Sequence, residues 1–130
     1  MRVGLTDGAT VVNTVIEPCP AKEAEDVVLS QLKRQIAQLM TPEVTGIGVG
    51  VPSVVDCQQG IVYNVANIPA WKEVHLKEIL EKEFGVPVAV NNDANCFALG
   101  AWRYGEGQGT NDMVGLTIGT GIGSGIIIGG

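Results

Sequence analysis

The stretch Val86-Pro87-Val88-Ala89-Val90-Asn91-Asn92-Asp93-Ala94-Asn95 is the part of the chain from which the fold can be worked out. Residues 86–90 form an apolar run typical of a buried strand, and residues 94–104 have the apolar spacing of a helix. The polar residues between them indicate a strand that passes directly into a helix. Open α/β sheets bind ligands beyond the carboxyl ends of their strands, so Asp93 is the first candidate for chemistry.

The rest of the chain predicts strands that alternate with helices. Residues 21–40 carry Val28, Leu32 and Ile36 at helical spacing, with acidic residues near the start, and are expected to form an amphipathic helix. One hairpin is expected between residues 2–6 and 9–16, with Asp7-Gly8 as its turn, and another between residues 54–56 and 60–63. Further strands are expected at residues 46–51, 114–118 and 125–128. A second helix is expected to end at Gly85. This order predicts an α/β layered domain with parallel pairing in its later part.

Composition excludes several classes of protein. The 130 residues are 45% hydrophobic with a formal net charge of -6, which suits one soluble domain and lacks the positive field that nucleic-acid binding needs. No membrane role is expected, because the apolar residues 113–130 include seven glycines. Cys19, Cys57 and Cys96 are widely spaced and odd in number, which favours a reducing cytoplasm over a disulfide framework or a metal site.

Asp93 has two competing interpretations. A carboxylate here, with Asn92 and Asn95 beside it, could orient and deprotonate a hydroxyl that attacks a phosphorus centre. Alternatively, Asp93 caps the helix, since Asn and Asp are strongly preferred at helix starts. The local sequence leaves both interpretations open.

A glycine-rich hairpin is the second candidate for chemistry. Gly119, Thr120 and Gly121 place backbone N–H groups and one hydroxyl in a tight turn, which can cradle phosphate oxygens. The stretch lacks the ending of a Walker loop, and no helix follows it as in a Rossmann fingerprint. A plain structural turn is the alternative.

Three stretches taken together resemble the ROK family of repressors and sugar kinases, within the actin-like ATPase superfamily. They are Gly46-Ile47-Gly48-Val49-Gly50-Val51-Pro52, Val90-Asn91-Asn92-Asp93-Ala94-Asn95 and Gly119-Thr120-Gly121-Ile122-Gly123-Ser124-Gly125. The resemblance covers essentially the whole chain and implies an α/β actin-like ATPase (ribonuclease H-like) domain with a mixed sheet. It implies an amino-terminal subdomain at residues 1–112 and the opening hairpin of a second kinase domain at residues 113–130.

The resemblance also implies the roles of individual residues. Asp93 would be the catalytic base, which takes the proton from a sugar hydroxyl as that hydroxyl attacks the γ-phosphate of ATP. The other implied site residues are Asn92, Asn67 and Ser53 at the sugar, and Gly119, Thr120, Gly121 and Gly123 at the phosphates. Asn67 could equally brace its own loop, and Ser53 stands where the family often has a glycine that lets the backbone approach the sugar.

The implied function is part of an ATP-dependent kinase for glucose or a related hexose, with Mg²⁺ held through the nucleotide and no metal ligands of its own. The alternative is the sugar-sensing domain of a ROK-type repressor. The family's first strand and first phosphate loop would precede Met1, and its zinc cluster would follow Gly130. Loss of that central strand predicts two open sheet edges, self-association and no activity in this chain alone. The single histidine, His75, is expected at the surface.

Overall fold

The computed structural model describes residues 1–119 and 121–130, which form three helices and nine strands. In chain order these elements are β1 (Arg2–Asp7), β2 (Thr10–Ile16), α1 (Glu25–Ala37), β3 (Ile47–Val51), β4 (Val54–Asp56), β5 (Ile61–Tyr63), β6 (Glu73–Val74), α2 (Leu76–Phe84), β7 (Val88–Asn92), α3 (Asp93–Tyr104), β8 (Met113–Ile118) and β9 (Ile122–Ile127). The predicted α/β class is confirmed.

Helix α1 has the apolar stripe that the sequence predicts. Val28, Leu32 and Ile36 are all buried in the main core, and Glu25 and Asp26 lie in the first turn, where the helix dipole favours negative charge. The helix is shorter than the predicted range of 21–40. Residues 38–40 instead form a closing turn, in which the backbone N–H groups of Leu39 and Met40 both donate to the Ile36 carbonyl.

Strands β3 and β7 pair in parallel, which confirms the predicted pairing mode for this part of the chain. The register runs from Ile47 opposite Val88 to Val51 opposite Asn92. Strand β7 begins two residues later than predicted, after Pro87, which has no N–H to donate to a ladder. It also ends two residues later, because Asn92 still pairs with Val51. Helix α3 therefore begins immediately after the strand, at Asp93.

The remaining strands form antiparallel hairpins. In the first hairpin the two turn residues are Gly8 and Ala9, so the predicted turn is shifted by one residue. Of these two turn residues, Gly8 alone has a positive φ, of 58°, which matches a type II′ turn. An Asp7-Gly8 turn would instead be of type I′, with positive φ at both central residues. The second hairpin gains a third strand, β6, which is too short to have been predicted.

The last hairpin also differs from expectation. Its second strand, β9, begins at Ile122 and not at residue 125. Gly123 and Gly125 therefore lie within the strand, paired with Thr117 and Gly115. Both glycines lie so close to helix α3 that a Cβ at either would overlap it.

Across the described residues the strands form four small hydrogen-bonded sheets instead of one mixed sheet. The sheets are β1-β2, β3-β7, β4-β5-β6 and β8-β9. The expectation of a missing first strand stays a prediction.

The core lies where α1 and α2 pack against β3, β5 and β7. One polar side chain is fully buried there, that of Gln35 in α1, and neither of its amide atoms has a hydrogen-bond partner among the described residues. His75 is exposed near Glu73 and Glu78, as predicted. None of the three helices within residues 1–119 and 121–130 has the length and the apolar character that a membrane span requires.

Candidate active site

Asp93 lies at the carboxyl edge of the parallel pair β3-β7, as predicted. The register places Val51 opposite Asn92, so both strands end at the same level and Asp93 follows at once. Gly50 of β3 lies beneath it, because a Cβ built on Gly50 would be 3.4 Å from the Asp93 Cα. A glycine within a strand leaves room for a close backbone approach, and at Gly50 it is the backbone of Asp93 that approaches.

The helix cap is supplied by Asn92 and not by Asp93. The Asn92 Oδ1 accepts hydrogen bonds from the backbone N–H groups of Ala94 at 2.9 Å and Asn95 at 3.3 Å. Its Nδ2 donates to the Ser53 carbonyl at 3.2 Å, which ties α3 to the chain that follows β3. An amide nitrogen has two hydrogens, so Asn92 keeps one donor for a ligand.

The Asp93 carboxylate is therefore free of the capping role. Its Oδ1 accepts only the N–H of the adjacent Ala94, at 2.9 Å, and its side chain makes no other hydrogen bond within the described residues. The residue is exposed to solvent. An ionised carboxylate with one oxygen unused can accept the proton of a ligand hydroxyl.

Two further asparagines brace this end of the site. The Asn95 Nδ2 donates to the Asn91 Oδ1 at 3.1 Å, and the same oxygen accepts the backbone N–H of Asn92 at 2.7 Å. Asn91 has no role among those that the sequence implies. Its position as the next-to-last residue of β7 is the signal that could have suggested one.

Ser53 is in contact with the site through its backbone. Its carbonyl accepts the hydrogen bond from Asn92, and its Oγ donates to the Tyr63 carbonyl across the β4-β5 hairpin. The hydroxyl proton is therefore engaged within the protein, while the lone pairs of the Oγ remain available to a ligand donor. The role of Ser53 at a sugar stays a prediction.

The glycine hairpin lies beside the start of α3. A Cβ on Gly123 would be 2.9 Å from the Ala94 Cβ, so β9 packs directly against the residue that follows Asp93. At the turn, the Gly119 N–H donates to the Gly121 carbonyl at 2.9 Å, and nothing lies within 4 Å of where either glycine would carry a Cβ. The space around Gly119 and Gly121 is therefore open, and the binding of phosphate by this turn stays a prediction. Thr120, the predicted phosphate-contacting hydroxyl, lies outside the described residues.

Among the described residues no hydrogen bond joins the Asn67 side chain to Asp93. It lies on the exposed loop between β5 and β6 and lines a cleft together with Gly50 and Pro52. The backbone of this loop is held by hydrogen bonds from Val65 to Trp71 and from Ile68 to Val65. Both predicted roles of Asn67, at a sugar or as a brace, stay open.

Cys96 is a neighbour of the site that the sequence analysis did not single out. It lies one turn after Asp93 in α3, and its Sγ would be 3.4 Å from a Cβ on Gly50. Burial raises the pKa of the Cys96 thiol, and the negative charges of Asp93 and Cys57 raise it further. The thiol is therefore a local reporter of the charge on Asp93.

The sequence model of the ROK family matches residues 2–130. This chain belongs to the ROK family. Among its ROK relatives, the glucokinase of Halalkalibacterium halodurans is 42% identical over 88 residues, which are 68% of this chain and 26% of that protein. The chain thus spans about a quarter of the length of this curated relative.

Solved ROK structures have the same fold. The structure of a glucokinase from Streptomyces griseus in complex with glucose and AMPPNP matches with a TM-score of 0.84 and 33% identity, over 97% of this chain and 40% of that one. A ROK family transcriptional regulator, a homologue of the E. coli MLC protein, matches with a TM-score of 0.82 and 29% identity, over 98% of this chain and 34% of that one.

Proposed function

We propose that residues 1–130 are the part of an ATP-dependent hexose kinase that supplies the catalytic base, and that this base is Asp93. The observation that carries the proposal is the division of roles at the start of α3. Asn92 caps the helix, which leaves the exposed carboxylate of Asp93 with one hydrogen bond, from the adjacent Ala94 N–H, and a second oxygen unused. A glucokinase of the same family, whose structure was solved with glucose and AMPPNP, supports glucose and ATP as the substrates.

In this proposal Asp93 accepts the proton of a sugar hydroxyl while the hydroxyl oxygen attacks the γ-phosphate of ATP. The remaining N–H of the Asn92 amide orients the sugar, with Asn67 and Ser53 at its rim. Backbone groups of the turn at Gly119, Thr120 and Gly121, with Gly123 behind it, bind the phosphates. Mg²⁺ bound to the nucleotide would offset the phosphate charge.

Turnover requires phosphate contacts and positioning groups from both sides of the reacting atoms. We therefore expect no kinase turnover from the isolated 130 residues. A cytoplasmic location is part of the proposal, supported by three cysteines, Cys19, Cys57 and Cys96, that are all free thiols.

The test is a hybrid enzyme in which residues 2–130 replace the matching segment of the Streptomyces griseus glucokinase. The hybrid is expected to phosphorylate glucose. Asp93→Asn should lower kcat by roughly 10²- to 10⁴-fold, the usual contribution of general base catalysis, with little change in KM for glucose. A coupled assay of ADP formation measures both constants.

Asp26→Asn is the matched control. Asp26 is also an exposed first-turn carboxylate whose Oδ1 accepts the N–H of the next residue, at 3.0 Å, but it lies in α1. We expect this variant to keep kcat within about twofold, since surface changes away from the site have small effects. A hybrid that keeps its full kcat after Asp93→Asn would contradict the role of Asp93.

A second candidate function is the sugar-sensing domain of a ROK-type repressor. It is favoured by the match to the transcriptional regulator, which covers the same residues with nearly the same TM-score as the glucokinase. A folded hybrid that binds glucose by calorimetry, yet shows no turnover with Asp93 intact, would support this alternative over the kinase.

A further inference from the structure

Strand β7 passes into helix α3 without a loop between them. Asn92 is the last residue of the strand, and Asp93 is the first residue of the helix. Because no residue lies between the two elements, a tilt of the first turn of α3 relative to the sheet moves the Asp93 carboxylate with it. A displacement of about 1 Å can lower the rate of a reaction by roughly 10²-fold. The contacts that fix this angle therefore bear on the candidate base.

Two side chains at the end of β7 reach the first turn of α3. Asn92 does so as the helix cap, where its Oδ1 accepts the backbone N–H of Asn95. Asn91 does so through a side-chain contact, since its Oδ1 accepts a hydrogen bond from the Asn95 Nδ2 at 3.1 Å. Successive residues of a strand point to opposite faces of the sheet, so the two asparagines leave the strand on opposite faces. Asn95 is thus held by its backbone and by its side chain.

The oxygen of Asn91 is fully engaged within the protein. Besides the bond from Asn95, it accepts the backbone N–H of Asn92 at 2.7 Å. A carbonyl oxygen has two lone pairs, so no acceptor capacity remains for a ligand. One oxygen atom therefore joins the last residue of β7 to the first turn of α3, which fits a positioning role and not contact with a substrate.

Asn91 lies on the same face of the sheet as the backbone of Asp93. It is half-buried and pairs with Gly50 in the parallel register. Partners in register point to the same face of a sheet, and a Cβ on Gly50 would be 3.4 Å from the Asp93 Cα. The Asn91 side chain thus leaves β7 on the face over which the candidate base is carried.

We propose that Asn91 is a positioning residue for phosphoryl transfer, an inference that rests on the function proposed above for Asp93. Its oxygen fixes the angle between β7 and the first turn of α3, and this angle sets the Asp93 carboxylate against the attacking hydroxyl. The amide supplies the oxygen without a charge. An aspartate would supply it with a second carboxylate two residues from the base, and like charges disfavour the ionised form that a general base needs.

The first test uses the hybrid kinase that carries residues 2–130 of this chain. Asn91→Ala removes the shared acceptor and should lower kcat by about tenfold or more. The KM for glucose should change by less than about twofold, because the position of the base matters in the transition state and not in the bound ground state. The coupled assay of ADP formation gives both constants.

Asn91→Asp is the conservative variant. It keeps an oxygen in the same place, so at about pH 8, far above the usual range of carboxylate titration, kcat should return to within about threefold of the parent hybrid. Its added charge should shift the acid side of the kcat profile to higher pH, since the base takes up a proton more readily beside a second carboxylate.

Asn13→Ala is the matched control. The Asn13 Oδ1 also accepts the N–H of the next residue, Thr14, at 2.8 Å, but it lies in strand β2. This variant should keep kcat within about twofold. Asn95→Ala removes the donor to Asn91, so its loss in kcat should not add to that of Asn91→Ala in the double variant.

A second measurement, on the 130-residue chain, does not depend on turnover. Amide hydrogen exchange by NMR should be at least about fivefold faster at Ala94 and Asn95 in Asn91→Ala, because the first turn is less firmly held. The rates in Asn91→Asp and Asn13→Ala should match wild type. Urea unfolding of the same variants checks that each one remains folded under the conditions of the assay.

The inference is overturned if Asn91→Ala keeps the parental kcat in a hybrid that Asp93→Asn inactivates. It is also overturned if folded Asn91→Asp fails to recover kcat at about pH 8, or if Asn91→Ala leaves exchange at Ala94 and Asn95 unchanged. A parent hybrid without turnover, or one insensitive to Asp93→Asn, would instead contradict the proposed function. The exchange rates would then still decide whether Asn91 holds the first turn.

Discussion

At the residue scale, the assignment of the helix cap decides how Asp93 is interpreted. Asn91, Asn92 and Asp93 are all residue types that cap helices, so their identities alone do not say which one does. The capping residue is set by where β7 ends, because the residue before the first helical one is the cap. The pairing of Val51 with Asn92 fixes that point.

Replacing Asn92 tests the cap directly. Asn92→Ala should lower the free energy of unfolding by about 1 kcal/mol, since two backbone N–H groups lose their acceptor. Asn92→Asp keeps an accepting oxygen but loses the donor to Ser53, so it should fall between wild type and Asn92→Ala. Urea unfolding measures both. Asn95→Ala is the comparison: it removes one exposed hydrogen bond to Asn91 but no capping acceptor, so it should cost less than Asn92→Ala.

The thiol of Cys96 should report the charge of Asp93. In a Cys19→Ser, Cys57→Ser background, the pH midpoint of Cys96 alkylation by iodoacetamide should lie above that of an unstructured cysteine, chiefly because of burial. Asp93→Asn removes a negative charge that disfavours the thiolate, so the midpoint should move to lower pH. It should stay above the unstructured value, because burial, the largest cause, remains.

Mass spectrometry of the alkylated protein gives the rate at each pH. Asp26→Asn, which changes a carboxylate in another helix, should leave the midpoint where it was. An unchanged midpoint in Asp93→Asn would contradict the coupling between the two side chains.

At the element scale, Gly85 and Gly100 have different backbone conformations: Gly85 ends a helix in the left-handed region, and Gly100 lies inside a helix. Gly85 ends α2 with φ 68° and ψ 17°, and no atom lies within 4 Å of where its Cβ would be. Gly100 lies inside α3, also with an open Cβ position. Any effect of alanine at either site thus comes from the backbone alone.

Gly85→Ala should lower the free energy of unfolding by about 1 kcal/mol, because an L-residue is disfavoured in the left-handed region. Gly100→Ala should raise it by about 1 kcal/mol, because alanine is the better helix former. Urea unfolding of the two variants side by side provides the measurement. Changes of the same sign in both would show that packing, and not backbone conformation, controls these positions.

The elements were predictable to different degrees. Helix α1 was predictable from its apolar period and α2 from its glycine terminator, because both signals are local. The start of β9 at Ile122 was not, since glycine at 123 and 125 weakens any strand pattern. These glycines lie in a strand because α3 leaves no room for side chains there.

At the scale of the whole molecule, the β8-β9 hairpin is joined to the rest through glycine–alanine contacts. A Cβ on Gly125 would lie 2.6 Å from the Ala98 Cβ and 2.8 Å from the Ala94 carbonyl oxygen. Both alanines are buried on α3. This close approach holds the β8-β9 hairpin against α3 at Ala94, the residue that follows Asp93.

Gly125→Ala should therefore lower the free energy of unfolding by about 1–3 kcal/mol, as overpacking does. Gly48→Ala, in a strand position with an open Cβ site, should cost nothing. The double variant Ala98→Gly, Gly125→Ala should lose less stability than the sum of the two single losses, and the double-mutant cycle measured by urea unfolding gives the coupling. A coupling near zero would mean that the hairpin is not held by this contact.

The sequence by itself determined the α/β class, most of the helices and strands, and the strand-to-helix junction with a carboxylate at its start, because these depend on the period and turn chemistry of nearby residues. The tertiary structure alone decided that Asn92 caps α3, that Gly50 lies under Asp93 and that Gly123 lies against Ala94. Each of these features depends on a contact between residues distant in the chain or on the register of paired strands. Local sequence preferences determine neither long-range contacts nor strand register.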